Sequence, residues 1–161
     1  MTIKVGDKIP SVSVKHLGAD GMAELNSADL FAGKKVVMFG VPAAYSPTCS
    51  EQHVPGFVAS IDQIKAKGVD TVVCHSVNDP FVMKAWAADQ NVDDKLVMFP
   101  DADAALAKAL GTNVDLSGAG LGVRSQRYAL IAEDGVVSHI GVEDSPPAHG
   151  VSSAEAILEI L

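Results

Sequence analysis

The stretch Val36–Val77 reads VVMFGVPAAYSPTCSEQHVPGFVASIDQIKAKGVDTVVCHSV. Two apolar runs stand at its ends, VVMFGV (36–41) and VDTVVCHSV (69–77). Short, nearly unbroken apolar runs of this kind predict strands covered on both faces. Between them Val54, Phe57, Val58, Ile61 and Ile64 recur at helical spacing, which predicts a helix over Cys49 to Lys67. A strand, a helix and a strand of this length make a βαβ unit, and its two strands are expected to be parallel.

Further elements follow on the C-terminal side. Asp79-Pro80 pairs an N-cap residue with a proline at the first helical position, and predicts a helix to about Gln90. Leu96–Phe99 reads as a short strand, and Asp103–Leu110 as a short helix stopped by Gly111. Gln126–Ala132 and Val136–Ile140 flank the turn Glu133-Asp134-Gly135, a hairpin signal. Ser152 and Glu155 have capping-box spacing before a final helix with Ile157, Leu158 and Leu161 turned inward. The order βαβ, α, β, α, ββ, α predicts an α/β fold, a central mixed sheet flanked by helices on both faces. That arrangement is similar to a thioredoxin-like core with N-terminal additions. With 161 residues and no repeat, low-complexity run or long linker, residues 1–161 are expected to form a single domain.

Composition narrows the classes of function. Twelve basic residues against twenty acidic ones give a formal net charge of −8. Binding nucleic acid or an anionic membrane requires a basic face, so neither is expected as a partner. No apolar run approaches the ~18 residues of a transmembrane helix. The start MTIKVGDKIP lacks the pattern of a signal peptide, and the expected location is cytoplasmic. Cys49 and Cys74 are too few for a disulfide scaffold and have no metal-ligand spacing. The chain's two arginines, Arg124 and Arg127, lie three residues apart.

The chemistry concentrates in GVPAAYSPTCSEQHVPGF (40–57), which leaves the first predicted strand at its carboxyl end, where α/β proteins tend to place their sites. Thr48 and Glu51 have capping-box spacing, which would make Thr48 the N-cap and Cys49 the first helical residue. A thiolate there faces unpaired backbone N–H groups and the positive end of the helix dipole, a setting that lowers a cysteine pKa below its free value of about 8.5. Pro42 and Pro47 stiffen the loop, and Pro55, inside the predicted helix, is expected to kink it. The alternative reading of Cys49 is a small, inert core residue.

PAAYSPTC (42–49) resembles the P-x-x-x-T/S-x-x-C signature of peroxiredoxins, thiol peroxidases that reduce hydroperoxides. SEQHVPGF, CHSVNDPFVMKAW and GLGVRSQRYAL are similar to the plant type II and animal class-five subgroup, and the similarity runs from VGDKIP to SSAEAIL. The resemblance implies a peroxidase without metal, flavin or haem, acting on hydrogen peroxide and organic hydroperoxides. It further implies recycling by glutaredoxin with glutathione, or by thioredoxin, and a homodimer. It assigns Cys49 as the peroxidatic cysteine, oxidised to a sulfenic acid, Pro42 as the shield of the site, and Arg127 as the cation that stabilises the thiolate and the peroxide oxygens. Ser46 stands where most members have threonine; its hydroxyl can serve the same bonds, but without the methyl group that restrains the side chain.

Several positions carry two readings. Arg124 matches a frequently basic position that would hold the site or contact a partner, and reads equally as a solvated loop residue. His53, one turn beyond Cys49, reads as a supporting or packing residue rather than a general base. Tyr45 and Phe81 resemble residues near the family's dimer contact, and would otherwise be ordinary core aromatics. Cys74 is a buried core thiol or a resolving partner of Cys49, as in plant type II members; a disulfide would need their Cα atoms within about 7 Å. Animal class-five members place a resolving cysteine near the position of Val151, where this chain has no thiol. A competing function is a peroxide-sensing switch or interaction protein with slow turnover. Thioredoxin-type disulfide exchange would need a C-x-x-C pair, and Cys49 is followed by Ser50, Glu51 and Gln52. A Cys–His hydrolase lacks its local signatures.

Overall fold

The computed structural model describes residues 1–161. Strands β1 (Ser13–Gly18) and β2 (Gly21–Asn26) form an N-terminal hairpin, followed by the short helix α1 (Ser27–Phe31). Strand β3 (Lys35–Val41), helix α2 (Val54–Ala66) and strand β4 (Thr71–Ser76) are the expected βαβ unit, with β3 and β4 parallel. Helix α3 (Pro80–Asp89), strand β5 (Val97–Pro100) and helix α4 (Ala105–Leu110) follow. Strands β6 (Asn113–Asp115) and β7 (Val123–Ser125) make a small antiparallel pair. Strands β8 (Tyr128–Glu133) and β9 (Val136–Val142) and helix α5 (Ala154–Ile160) complete the chain.

The main sheet has the order β5-β4-β3-β8-β9. Strands β5, β4 and β3 run parallel, while β8 is antiparallel to β3 and β9 antiparallel to β8. Strand β3 is therefore central, and six of its seven residues are buried. The period-two alternation of a strand sorts its side chains into two cores. Val37, Phe39 and Val41 pack with α2, α3 and α5; Val36 and Met38 pack with α1, α4 and the N-terminal residues Ile3 and Ile9. Cys49 and Cys74 share the first core, and Tyr128 lies in the second.

Two local readings of helix starts are corrected. The helical turn ahead of α2 begins at residues 47–48, and Thr48 has helical φ and ψ with no capping bond from its side chain. Ser46 precedes it, its carbonyl accepting the Ser50 N–H at 3.0 Å. Pro47, with φ already set for a helix and no N–H to leave unpaired, takes the first position and pushes the start about two residues earlier. Cys49 remains in the first turn, among the unpaired N–H groups. At the C-terminus the N-cap is Ser153, which accepts the Ala156 N–H. Ser152, expected in that role, is buried and engaged by Glu143.

Pro55 produces a widened turn rather than a simple kink. Residues Cys49–His53 form a π-helical turn in which the Val54 N–H reaches the Cys49 carbonyl. A proline ring collides with the carbonyl four residues earlier, and a wider turn immediately before it relieves that contact.

The β8–β9 turn is the two-residue connection Asp134-Gly135, at φ 49° and 78°. Left-handed backbone at both positions suits the twist of the paired strands, and glycine adopts it without strain. Gly135→Ala is expected to destabilise the protein by about 1 kcal/mol, measured by denaturant unfolding, while the same change at the open, ordinary-φ position Gly118 should not.

Candidate active site

Cys49 has no solvent exposure. Two donors converge on its sulfur. Ser46 Oγ lies 2.8 Å from Sγ, and Arg127 Nη2 lies 3.3 Å from it. Ser46 Oγ is also 2.8 Å from the Ala43 carbonyl oxygen. A hydroxyl has one proton, so it donates to the carbonyl when the sulfur is a thiol and can turn to donate to Sγ when the sulfur is a thiolate. The two partners thus satisfy both protonation states without moving a heavy atom.

Arg127 is 2% exposed, and its guanidinium is held on every side. Nε and Nη2 donate to the Pro146 carbonyl at 3.1 and 2.9 Å, and Nη1 donates to His53 Nδ1 at 3.0 Å. His53 Nε2 lies 2.8 Å from the Ser152 carbonyl. The carbonyl can only accept and Arg127 can only donate, so His53 is neutral, with its proton on Nε2. Burial, the Arg127 charge and His149, which packs edge-on at 5.0 Å, lower its pKa well below 6.5 against the opposing bond to Ser152. His53 therefore orients Arg127 and has no free lone pair for base chemistry.

The carbonyls that hold Arg127 and His53 come from residues 143–152, a segment whose role sequence reasoning missed. Its organiser is Glu143, whose Oε2 accepts from the Gly150 N–H, the Ser152 N–H and Ser152 Oγ at 2.7, 2.8 and 2.6 Å. Burial raises the Glu143 pKa, but the bonds from Ser152 and Gly150 outweigh it, and the net shift is downward. No local motif marks this carboxylate, because the loop it folds back on is irregular.

The segment bearing Cys49 is fastened to α3 and to the end of β4. Pro42 is buried at the exit of β3. The Ala44 N–H donates to Asn78 Oδ1, Tyr45 Oη donates to Asp89 Oδ2 at 2.7 Å, and Trp86 Nε1 donates to Ser50 Oγ. Tyr45 has φ 67°, a left-handed value costly for an aromatic residue. Cys74 is free and fully buried on β4, and burial, with Cys49 nearby, raises its pKa well above the ordinary value. The structure does not bring Arg124 onto the sulfur: Nε donates to the Leu121 carbonyl and Nη1 to the Val77 carbonyl, tying β7 to the end of β4.

The family model for Redoxin matches residues 4–158. Peroxiredoxin-2E-2, chloroplastic, from Oryza sativa subsp. japonica is 46% identical over 165 residues, covering 99% of this chain and 73% of the relative. Reduced Prx3 from Vibrio vulnificus, solved in complex with H2O2, superposes with a TM-score of 0.93 at 47% identity and covers 99% of each chain. A Burkholderia cenocepacia chain solved as a thioredoxin reductase superposes at 0.96 with 42% identity, covering 100% of this chain and 99% of that one. That last description suits this chain less well, since no second cysteine stands within reach of a C-x-x-C spacing. The chain belongs to the redoxin family, thioredoxin-fold proteins with thiol chemistry. Within it, the chain is a type II peroxiredoxin, a thiol-dependent peroxidase.

The His53 assignment fixes a pH dependence. In the unfolded chain the ring takes up a proton at about pH 6.5, whereas the native ring resists it. Below that pH the unfolded state binds more protons, so stability falls as the solution is acidified. Nitrogen-15 NMR should find His53 neutral and Nε2-protonated at pH 6.0, with unfolding free energy decreasing from pH 7.5 to 5.5. A ring that charges near pH 6.5 would contradict the assignment.

Proposed function

We propose that Cys49 is the peroxidatic thiol and that the substrates are hydrogen peroxide and alkyl hydroperoxides. The observation that carries this reading is the convergence of Ser46 Oγ and Arg127 Nη2 on one buried sulfur. The Cys49 thiolate attacks the terminal peroxide oxygen and forms an S–O bond while the O–O bond breaks. The leaving oxygen takes a proton and departs as water or alcohol, and the sulfur is left as a sulfenic acid. Arg127 is a permanent planar cation that can serve the thiolate before the reaction and the leaving oxygen during it. Ser46 supplies a hydroxyl hydrogen bond, and buried Pro42 walls the site from water.

We further propose that an external thiol completes the cycle, glutathione with glutaredoxin, or thioredoxin. Thiol attack on the sulfenic sulfur releases water and forms a mixed disulfide, which a second thiol reduces. The full burial of Cys74 and its raised pKa support a bystander role. A homodimer is supported by the large exposed side chains Tyr45, Phe81 and Val123, on segments tied together through α3 and the Arg124–Val77 bond.

Peroxide consumption followed by stopped flow, with each donor supplied, tests the roles. Cys49→Ser should abolish turnover, and Cys74→Ser should retain most of it with at least one donor. Loss in Cys74→Ser with every donor would assign it as the resolving thiol. Ser46→Thr restores the restraining methyl group and should raise the second-order rate with hydrogen peroxide severalfold; an unchanged rate would refute the idea of a looser site.

A further inference from the structure

A second polar cluster lies on the far face of the sheet from Cys49 and takes no part in the chemistry above. His75, Asp101 and Tyr128 are each 0% exposed. His75 Nδ1 is 2.8 Å from Tyr128 Oη, and His75 Nε2 is 2.9 Å from Asp101 Oδ2. Asp101 also accepts the Leu106 and Ala107 N–H groups at 3.0 and 2.9 Å, capping α4. Burial raises the Asp101 pKa, but the bonds from His75 and these two amides outweigh it, and its carboxyl is held below the ordinary value. Every polar atom of the chain Asp101–His75–Tyr128 therefore has a partner.

Its position in the sheet is specific. Gly40 of β3 is paired with His75 on one side and with Tyr128 on the other. A β-carbon at Gly40 would lie 2.1 Å from Cε1 of the Tyr128 ring. The glycine opens a gap in the central strand, and the two neighbouring side chains meet across it. Three strands are thus tied at one level, with the residue after β5 joined to them. That level is where both halves of the active site leave the sheet. Val41 and Pro42 follow Gly40 and lead to Ser46 and Cys49. Arg127 immediately precedes Tyr128 and, by the alternation of a strand, projects to the opposite face, where Cys49 lies.

We infer that His75, Asp101 and Tyr128 are positioning residues for the peroxidase site, a clamp over Gly40 that fixes the separation between the segment bearing Cys49 and the start of the strand bearing Arg127. The inference rests on the proposed role of Arg127 at the Cys49 sulfur. Removing the Tyr128 hydroxyl leaves His75 Nδ1 buried without its partner, and β4 and β8 lose their only side-chain tie across the gap. The 3.3 Å approach of Nη2 to Sγ then rests on the guanidinium's own contacts alone. Small displacements at a reacting centre are expensive in rate.

Tyr128→Phe keeps the ring over Gly40 and removes only the hydroxyl. Val137→Ala, in the same far-face core but away from the clamp, serves as a control of comparable stability loss. Two rates are followed against pH in each protein, peroxide consumption and alkylation of Cys49 by iodoacetamide in a Cys74→Ser background. Tyr128→Phe should lower the peroxide rate roughly tenfold and move the alkylation profile to higher pH, while Val137→Ala lowers the melting temperature and leaves both where they were. The clamp is refuted if Tyr128→Phe only lowers the melting temperature, or if both variants shift the profiles equally. Absence of peroxide consumption by the parent protein would instead overturn the proposed substrates, and the alkylation profiles would still decide the clamp.

Discussion

A guanidinium that is 2% exposed sets the terms for much of this structure. Arginine does not lose its proton on burial, so its charge must be met by acceptors or by an anion. Two bonds go to the Pro146 carbonyl, one to His53, and the last to the Cys49 sulfur. Two of the three partners, the Pro146 carbonyl and His53, are neutral, so these bonds satisfy the guanidinium without neutralising it. The sulfur is therefore the one partner of the guanidinium that is able to carry a compensating charge. An acidic partner in place of His53 would satisfy Arg127 better and serve the sulfur worse.

Holding those acceptors in place falls to residues far along the chain. The Pro146 and Ser152 carbonyls belong to an irregular segment with no ladder to fix it, and the Glu143 carboxylate substitutes for one by collecting two backbone N–H groups and a hydroxyl. Glu143 is itself attached to the site through its own N–H, which donates to the Arg127 carbonyl at 2.8 Å. Backbone and guanidinium of one residue are thus both bound to the start of this loop, at Glu143 and Pro146, and His53 links the guanidinium to its far end at Ser152.

The parts legible in the sequence are those whose signal is local. Strands β3 and β4 are apolar runs covered on both faces, Asp79-Pro80 marks the start of α3, and Asp134-Gly135 marks a hairpin. Strands β1 and β2 escaped because they are half-exposed and carry little apolar alternation, and β6 and β7 because three residues are too few to show a period. At the site, Cys49 stands out by its place after a strand and at a helix start. No such local signal marks Glu143, or His75 and Tyr128, because those contacts span 9 and 53 positions and depend on the finished register. The error over Thr48 was of a different kind. Two valid start signals competed, and proline at the first helical position prevailed over the capping box.

The same local energetics bear on how a buried sulfur can be serviced by a large reductant. A peroxide is small, but a glutathione or protein thiol has to approach the sulfenic acid in line, which full burial forbids until the first turn moves. That turn is held mainly from outside. Tyr45–Asp89 at the surface, and Trp86–Ser50 and Asn78–Ala44 beneath it, fasten it, the latter two each worth about 0.5–1.5 kcal/mol. Against them stand the left-handed backbone of Tyr45, costing about 1–2 kcal/mol, and a π-turn with no regular ladder. Strain within the turn thus offsets part of what those bonds contribute. Uncovering the Cys49 sulfur requires breaking these ties, whereas β3, buried at the centre of the sheet, and Arg127, anchored by its loop, need not move with the turn. The left-handed tyrosine and the proline-bounded helix start thus place Cys49 on an irregular, strained piece of backbone beside the buried central strand, so that the turn can differ in stability from the sheet it packs on.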